Sequence, residues 1–395
     1  MTDREAVIVA MNRTAIADAY RGSLIDVGVR ELGRIVVADV LARAGIPPED
    51  VDDLILGEVL QGGGCIARYV AIEAGLPHDT PGLAVNRQCS TGLTAVATGA
   101  ASIMAGMDRV VIAGGVESMT QSPISYAKPA APYGVPQQMI SPSHPDRPDA
   151  PNMNMMITVG ENTASEVGVT REESDEWAWG SHRKAIDAID AGRFSTEIVP
   201  VEVRGRDGVT RLFEVDEHPR RNSTLEKLAS LPVISGRSGG QVTAGNSSPI
   251  NDGGAALVLT SGDYARANGL EPLAYVRSWA ASGVDPARTG LAPTTAIPRA
   301  VDRAGLSLSQ ISLIELNEAF ASMAVGCIKV LGLDPGIVNV NGGAVGLGHP
   351  VAASGARLIV TLAHELRRRG GGFGVASLCA GGGMGGAAVI EVPAP

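Results

Sequence analysis

The chain has 395 residues, 45 % hydrophobic and 19 % charged, a globular balance with length enough for two or more substructures around a sizeable core. Its 32 basic and 42 acidic side chains give a net charge of −10, and aromatics are only 3 %, which argues against nucleic acid or an anionic membrane as a main partner. Gly at 50 and Pro at 24 show no Gly-X-Y period, and four cysteines (Cys65, Cys89, Cys327, Cys379) with no CxxC pair exclude a disulfide scaffold and make structural zinc improbable.

Met1–Glu5 is mixed in charge, without a secretory n-region, and runs into a strand over Ala6–Ala10. A helix follows over Glu31–Ala44, with apolar residues at helical spacing and Gly45 beyond its end. Asp53–Leu56 and Arg109–Ala113 read as strands, as do Ala255–Leu259, Leu313–Leu316 and Val375–Leu378, and Thr295–Ala304 as a helix. Gln121–Asp149, rich in Pro, Ser and Ala, reads as a surface excursion, and Arg171–Arg193 carries a helical charge pattern with Trp177 and Trp179. The alternation is α/β. No apolar run reaches the about 20 residues that span a bilayer, and the sparse cysteines suit a reducing cytoplasm.

The chain also resembles itself. RAGIPPEDVDDLILGE (Arg43–Glu58) aligns with RAGLSLSQISLIELNE (Arg303–Glu318), Val85-Asn86 with Val340-Asn341, and VVIAGG (Val110–Gly115) with SLCAGG (Ser377–Gly382). Three matches in the same order point to a duplicated unit with residues 120–245 inserted between the copies.

Four segments can carry chemistry. Cys89 follows a strand and opens a helix of small residues, where the macrodipole is expected to favour thiolate; a structural cysteine in a tight turn is the alternative. His349 sits among five glycines in NVNGGAVGLGHPVAASGAR, open to close approach by a substrate, or else simply closes a turn before Pro350. Cys379 ends a strand and enters a glycine run whose bare amides can hold an oxyanion. Asn317 and Glu318 emerge from an apolar strand, with helix capping the plainer role for Asn317. His78, His144, His182, His218 and His364 lie in loops or on charged faces. Two thiols and one imidazole at strand–turn junctions suit acyl transfer: one cysteine, activated by the histidine, takes an acyl group and the other moves a proton.

VNRQCSTGL, AGGVESM, AGNSSPINDGGAAL, NEAFA, NGGAVGLGHP and CAGGGMGGA, in this order and at these separations, resemble the thiolase superfamily over essentially the full chain. The resemblance implies two duplicated βαβαβαββ halves in a five-layer α-β-α-β-α body with an inserted loop domain. Residues 1–120 with 245–270 would form the N-terminal half, 121–244 the loop domain and 271–395 the C-terminal half. It implies thiolysis of 3-ketoacyl-CoA or the reverse Claisen condensation, with CoA as substrate and no tightly bound cofactor or metal. Cys89 would be the nucleophile, His349 its base and Cys379 the acid/base. His349 with a water held by Asn317 would make one oxyanion hole, and the backbone amides of Cys89 and Gly381 the other. CoA and substrate contacts are expected at Ser248, Arg220 (or its neighbour Arg221), Met156, Ala244 and Phe320, in a homodimer or homotetramer.

Some positions depart from the family pattern. Met155-Met156-Ile157 replaces a His-Met-Gly, Pro249 follows AGNSS, and the loop at Gly62–Ile66 is short and holds Cys65. LASLPVISG lacks an Arg-Pro-x-Phe, and Ala352 replaces a glycine after GHP. These point to a more apolar acyl pocket and an acyl group larger than acetoacetyl. A catalytically weak thiolase-like lipid- or CoA-binding protein is the alternative reading. A ketoacyl-synthase-type enzyme is disfavoured by NEAFA and Cys379.

Overall fold

A computed structural model describes residues 4–139, 142–153, 155–205 and 207–394. The N-terminal part alternates β1 (Ala6–Thr14), α1 (Val29–Ala44), β2 (Asp53–Gly57), α2 (Ile66–Glu73), β3 (Gly82–Val85), α3 (Thr91–Ala105) and β4 (Val110–Ser118). The excursion after β4 holds α4 (Met155–Val167) and α5 (Arg171–Asp190), and the chain returns to the body as β5 (Asn251–Ser261). Then come β6 (Ala274–Gly283), α6 (Pro293–Arg303), β7 (Ile311–Leu316), α7 (Ala321–Leu331), α8 (Val351–Arg368), β8 (Gly372–Ala380) and β9 (Met384–Val392). Ile140 and Ser141, within the expected excursion, lie outside the described residues; much of its remainder up to Met139 is exposed.

The long strands run in the order β7-β8-β9-β6-β1-β5-β4-β2-β3. The path is two half-sheets joined where β1 meets β6 through only Val7–Tyr275 and Ile8–Ala274. Each half has the same order, since β3 beside β2 is matched beside β7 by the single bridge Ile314–Val338. Side chains alternate between faces, as the pleat requires. Leu54 and Leu56 of β2 pack outward with Leu32, Val36, Val40 and Val70 of α1 and α2, while Ile55 points inward. Val389 of β9 points to α6 and α7, and Ile390 to the inner layer. Helices α3 and α8 fill that inner layer, which completes the expected five layers.

The inner helices touch backbone to backbone. A Cβ on Gly355 of α8 would lie 2.3 Å from the Leu93 amide nitrogen of α3, and one on Gly92 would lie 2.6 Å from the Ala352 carbonyl. Only glycine permits this approach, and it brings the first turns of α3 and α8 side by side.

Two expectations are corrected. The strand continues through Ala113-Gly114-Gly115 to Ser118 in β4, whereas Ala380 ends β8 and its glycines form the turn. Ala113 pairs with Ile55 and Ala376 with Glu315, so Ala376 is the equivalent of Ala113. The Ala-Gly-Gly similarity is therefore out of register, while the Arg43–Glu58 match superposes down to its 3-10 turns at Pro48–Asp50 and Leu308–Gln310. In addition, β3, β6 and β9 escape a reading by apolar runs, because Gly, Ala and Ser interrupt them.

Candidate active site

Cys89 and His349 occupy matching places in the two halves: each stands two residues before the first residue of an inner helix, α3 or α8. Gln88 turns the chain into Cys89 at a left-handed φ of 48°, and its N–H donates to Asn86 Oδ1 at 3.0 Å. Arg87 N–H donates to Thr91 Oγ1 at 2.7 Å, closing the turn over the helix start. A non-glycine residue in this conformation costs about 1 kcal/mol or more and persists only where its surroundings enforce it.

The backbone N–H groups of Cys89 itself and of Gly381, two residues beyond Cys379, lie close enough to the Cys89 sulfur to favour its thiolate form. One glycine turn therefore reaches both thiols, whose electrostatic coupling also marks their proximity. Cys379 is 1 % exposed, and its Sγ lies 3.7 Å from Met323 Sδ. Met155, Val159, Val242, Phe320 and Met323 wall it in, with Met156 and Ile157 at the margin.

His349 is held from three sides. Its N–H donates to Asn251 Oδ1 at 2.8 Å, and its Nδ1 lies 2.6 Å from Ser354 Oγ. Ser354 passes its own proton to the Pro350 carbonyl at 2.8 Å, so it accepts from Nδ1–H and leaves Nε2 unprotonated. Asn317 Nδ2 donates to that Nε2 at 3.3 Å, and Asn317 Oδ1 is buried with no hydrogen-bond partner among the described residues. Glu318 ties the two loops together: its carboxylate accepts from Trp177 Nε1, Ser181 Oγ, Asn339 Nδ2 and the Val345 N–H at 2.7–3.0 Å.

Electrostatics correct one expectation. The helix terminus does not make Cys89 a thiolate; burial pushes its thiol up to about 11, with the Glu117 charge adding to the rise. Burial, and then the Arg357 cation, push His349 down to about 3. Cys379 is also raised by burial. The resting groups are a neutral thiol and a neutral imidazole, because this dry pocket penalises either ion more than a helix dipole rewards one.

A cavity of about 560 Å³ opens beside α5, lined by His182, His218, Arg220, Arg221, Lys227, Ala244 and Ser247. Arg221 is held by Asp190 at 2.5 Å, whereas among the described residues the Arg220 guanidinium has no carboxylate partner. His182 is a cavity wall and not a solvated helical residue; burial, His218 and Arg220 lower it to about 3. Ser247 bridges to Phe320, and the Ser248 N–H donates to the Ala319 carbonyl at 3.0 Å, so the AGNSS loop joins this cavity to the wall around Cys379. Sequence reasoning missed Asn251, Ser354 and Met323; of these only Ser354, about one helical turn beyond His349, had a readable spacing. Cys327 is a buried core thiol and Cys65 an exposed one. Among the described residues no group of three His, Cys, Asp or Glu could hold a metal, and no helix is long and apolar enough to cross a membrane.

Known proteins share this fold. Residues 6–263 match the thiolase N-terminal domain and residues 270–392 the thiolase C-terminal domain. An acetyl-CoA acetyltransferase of Pseudomonas aeruginosa is 45 % identical over 389 residues, covering 97 % of this chain and 98 % of that protein. The crystal structure of the Bacillus anthracis acetyl-CoA acetyltransferase superposes with a TM-score of 0.90 at 40 % identity, covering 98 % of both chains. Human mitochondrial 3-ketoacyl-CoA thiolase gives 0.91 at 35 % identity, with 100 % of both covered. Matched in both halves and aligned almost end to end with these relatives, the chain belongs to the thiolase family.

Proposed function

We propose that this thiolase cleaves 3-ketoacyl-CoA with CoA, or runs the reverse Claisen condensation, through an acyl group carried on Cys89. The observation that carries the reading is the buried Asn317–His349–Ser354 chain, which fixes a basic Nε2 ahead of α8, the helix packed backbone to backbone against α3, which Cys89 precedes. The substrate displaces nothing charged on entry, since thiol and imidazole are both neutral. As Cys89 Sγ attacks the 3-keto carbon, Nε2 of His349 takes its proton, and the amides of Cys89 and Gly381 receive the oxyanion. The C2–C3 bond then breaks; the departing enolate of acetyl-CoA is held by Asn317 and His349, and Cys379 protonates its carbon. Cys379, now a thiolate, deprotonates the incoming CoA thiol, which attacks the acyl-Cys89; the Cys89 sulfur leaves, takes its proton back from His349, and the shortened acyl-CoA is released. Acyl groups move between thiols without net oxidation, so the chemistry calls for no resident cofactor.

The rest of the reading follows the same supports. The cations Arg220, Arg221 and Lys227 suit the phosphates of CoA, with Ala244 and Ser248 along its pantetheine and Met156 and Phe320 toward the acyl end. The wall of Met155, Met156, Ile157 and Met323 favours an acyl group larger than acetoacetyl. Residues 1–120 with 245–270, 121–244 and 271–395 divide the chain in line with the two half-sheets. Exposed Ile124, Tyr126, Tyr133 and Val135 favour a homodimer or homotetramer, and four unpaired cysteines favour a cytoplasmic setting. A CoA-binding protein without turnover is not favoured, because it would have no use for a partnered Asn317–His349–Ser354 chain. The test is CoA-dependent loss of 3-ketoacyl-CoA substrates from acetoacetyl upward, with acetyl-CoA as a product. Cleavage that requires Cys89 and Cys379 is expected; no cleavage of any member would refute the reading.

A further inference from the structure

Asn317 and His349 meet where the end of β7 faces the start of α8, and a second buried contact joins the same two elements. Side chains alternate along β7: Ile314 and Leu316 turn to the outer layer, while Leu313 joins the inner one with Leu358, Ile359 and Leu362 of α8. Glu315 and Asn317 therefore also face inward, about 7 Å apart along the chain. Arg357 Nη1 on α8 donates to Glu315 Oε2 at 3.3 Å, with both side chains at most 3 % exposed. Arg357 stands three residues beyond Ser354, on the same helical face. The chain from Ser354 through His349 to Asn317 is thus one rung between α8 and β7, and Arg357–Glu315 is the next.

Stability alone does not account for this pair. Arg357 Nε and Nη2 are buried with no hydrogen-bond partner among the described residues, and unpaired buried donors destabilise a fold. Buried ion pairs can often be replaced by apolar residues without loss. What the pair adds is direction. Apolar contacts hold α8 against the sheet but do not fix where it sits along β7, whereas a hydrogen bond does. That register matters because Asn317 Nδ2 reaches His349 Nε2 at 3.3 Å, long for such a bond, so a small slide of the helix would break it.

We propose that Arg357 and Glu315 are positioning residues: their buried contact fixes the register of α8 along β7 at which Asn317 reaches the basic nitrogen of His349. This rests on the reading of Asn317 and His349 as the groups that hold the enolate. The pair acts through those two residues and not on the substrate. Ser354 and His349 keep their mutual geometry on α8 without it, so its loss falls on the step that needs Asn317.

The test is a mutant cycle on the full chain. Arg357→Met combined with Glu315→Leu leaves no unpaired buried charge, so this variant is expected to fold with wild-type thermal stability or better. Its kcat for 3-ketoacyl-CoA cleavage should fall on the order of 10-fold or more, the range for losing a partner that orients a functional group. KM should change less, and single-turnover acylation of Cys89 should survive. Adding Asn317→Ala should then lower kcat little below that of Asn317→Ala alone, because both changes remove one contact. If the apolar pair does not fold, Arg357→Lys carries the same comparison: it keeps the charge, loses the planar fork, and should cost several-fold in kcat that Asn317→Ala likewise absorbs. A folded apolar pair with wild-type kcat would show a merely structural role, and losses that multiply would show that the pair acts elsewhere; either overturns the proposal. A wild-type chain that cleaves no 3-ketoacyl-CoA strikes the proposed function and takes this inference with it, whereas wild-type turnover beside either of those results leaves the function standing.

Discussion

Ser354 Oγ stands 2.6 Å from Nδ1 of His349, and because the serine gives its own proton to Pro350, it decides which ring nitrogen is basic. The serine lies inside α8, so the helix that carries it also orients the imidazole ahead of its first turn. Replacing Ser354 with Ala should lower kcat on the order of 10- to 100-fold, the range for loss of a partner that orients a functional histidine, with a smaller change in KM. Steady-state kinetics with Ser354→Thr as the conservative control would check this. An unaltered kcat in Ser354→Ala would mean the tautomer is set elsewhere.

Asn317 faces the other ring nitrogen with its carbonyl oxygen unpartnered. If it helps hold the enolate, Asn317→Ala should lower kcat by about 10²-fold, the usual loss for one oxyanion donor, while acylation of Cys89 survives. Single-turnover acylation measured beside steady-state turnover separates the two steps. Equal loss of both would move Asn317 to the first step.

The pH profile distinguishes a neutral pair from a preformed ion pair. Burial lowers the His349 pKa to about 3, so its imidazole remains an available base as pH falls through 6.5, the ordinary histidine value. Burial likewise raises Cys89 to about 11, so thiolate accumulates only in alkali. The rate of Cys89 acylation should therefore show no acid limb between pH 5 and 7 of the order of a single histidine titration. A tenfold fall per pH unit below 6.5 would contradict the assignment.

Arg220 and Arg221 are adjacent but differ in engagement. Both line the cavity, but Asp190 already holds Arg221, while Arg220 has no carboxylate partner among the described residues. Arg220→Ala should raise KM for CoA by roughly tenfold, or about 1.4 kcal/mol, and weaken its salt dependence. Arg221→Ala should do much less. Isothermal titration with CoA at two salt concentrations would show whether the order is reversed.

The helix crossing that sets the site is sensitive to one atom group. A side chain at Gly355 would press its Cβ to 2.3 Å from the Leu93 nitrogen, so α3 and α8 would have to separate. Gly355→Val should cost about 1–3 kcal/mol or more, the range for overpacking a close contact, and separate Cys89 from His349. Thermal unfolding together with Cys89 acylation would test it; a fully stable, fully active variant would show that the crossing can relax.

Much of this was legible before any coordinates. Cys89, Asn317 and Cys379 each stand at or near the end of a strand, where glycines or polar residues interrupt an apolar run and are visible in a string of letters, whereas His349, expected at such a junction, follows a short helix over Ala344–Leu347. The Arg43–Glu58 repeat likewise predicted the doubled sheet, because both copies keep their helix-ending glycine and their 3-10 turn. What was not legible depends on distance through space. The dipole argument for Cys89 failed because desolvation depends on how many layers cover the turn, which local sequence does not express. Met323 and Met155 reach Cys379 and Gly381 from α7 and α4, far apart along the chain. The false Ala-Gly-Gly register shows the same limit, since identical tripeptides can lie within one strand and end another.

The central claim is that Cys89 carries the acyl group, and intact-protein mass spectrometry tests it most directly. The enzyme would be mixed briefly with acyl-CoAs from acetyl to long and branched chains, then digested and mapped, with Cys89→Ala and Cys379→Ser alongside. The account predicts one acyl adduct on Cys89, discharged by free CoA, absent in Cys89→Ala and retained but not turned over in Cys379→Ser. The chain that loads best would bound the substrate. An adduct on Cys379 or Cys65, or none on Cys89 from any member of the panel, would contradict it.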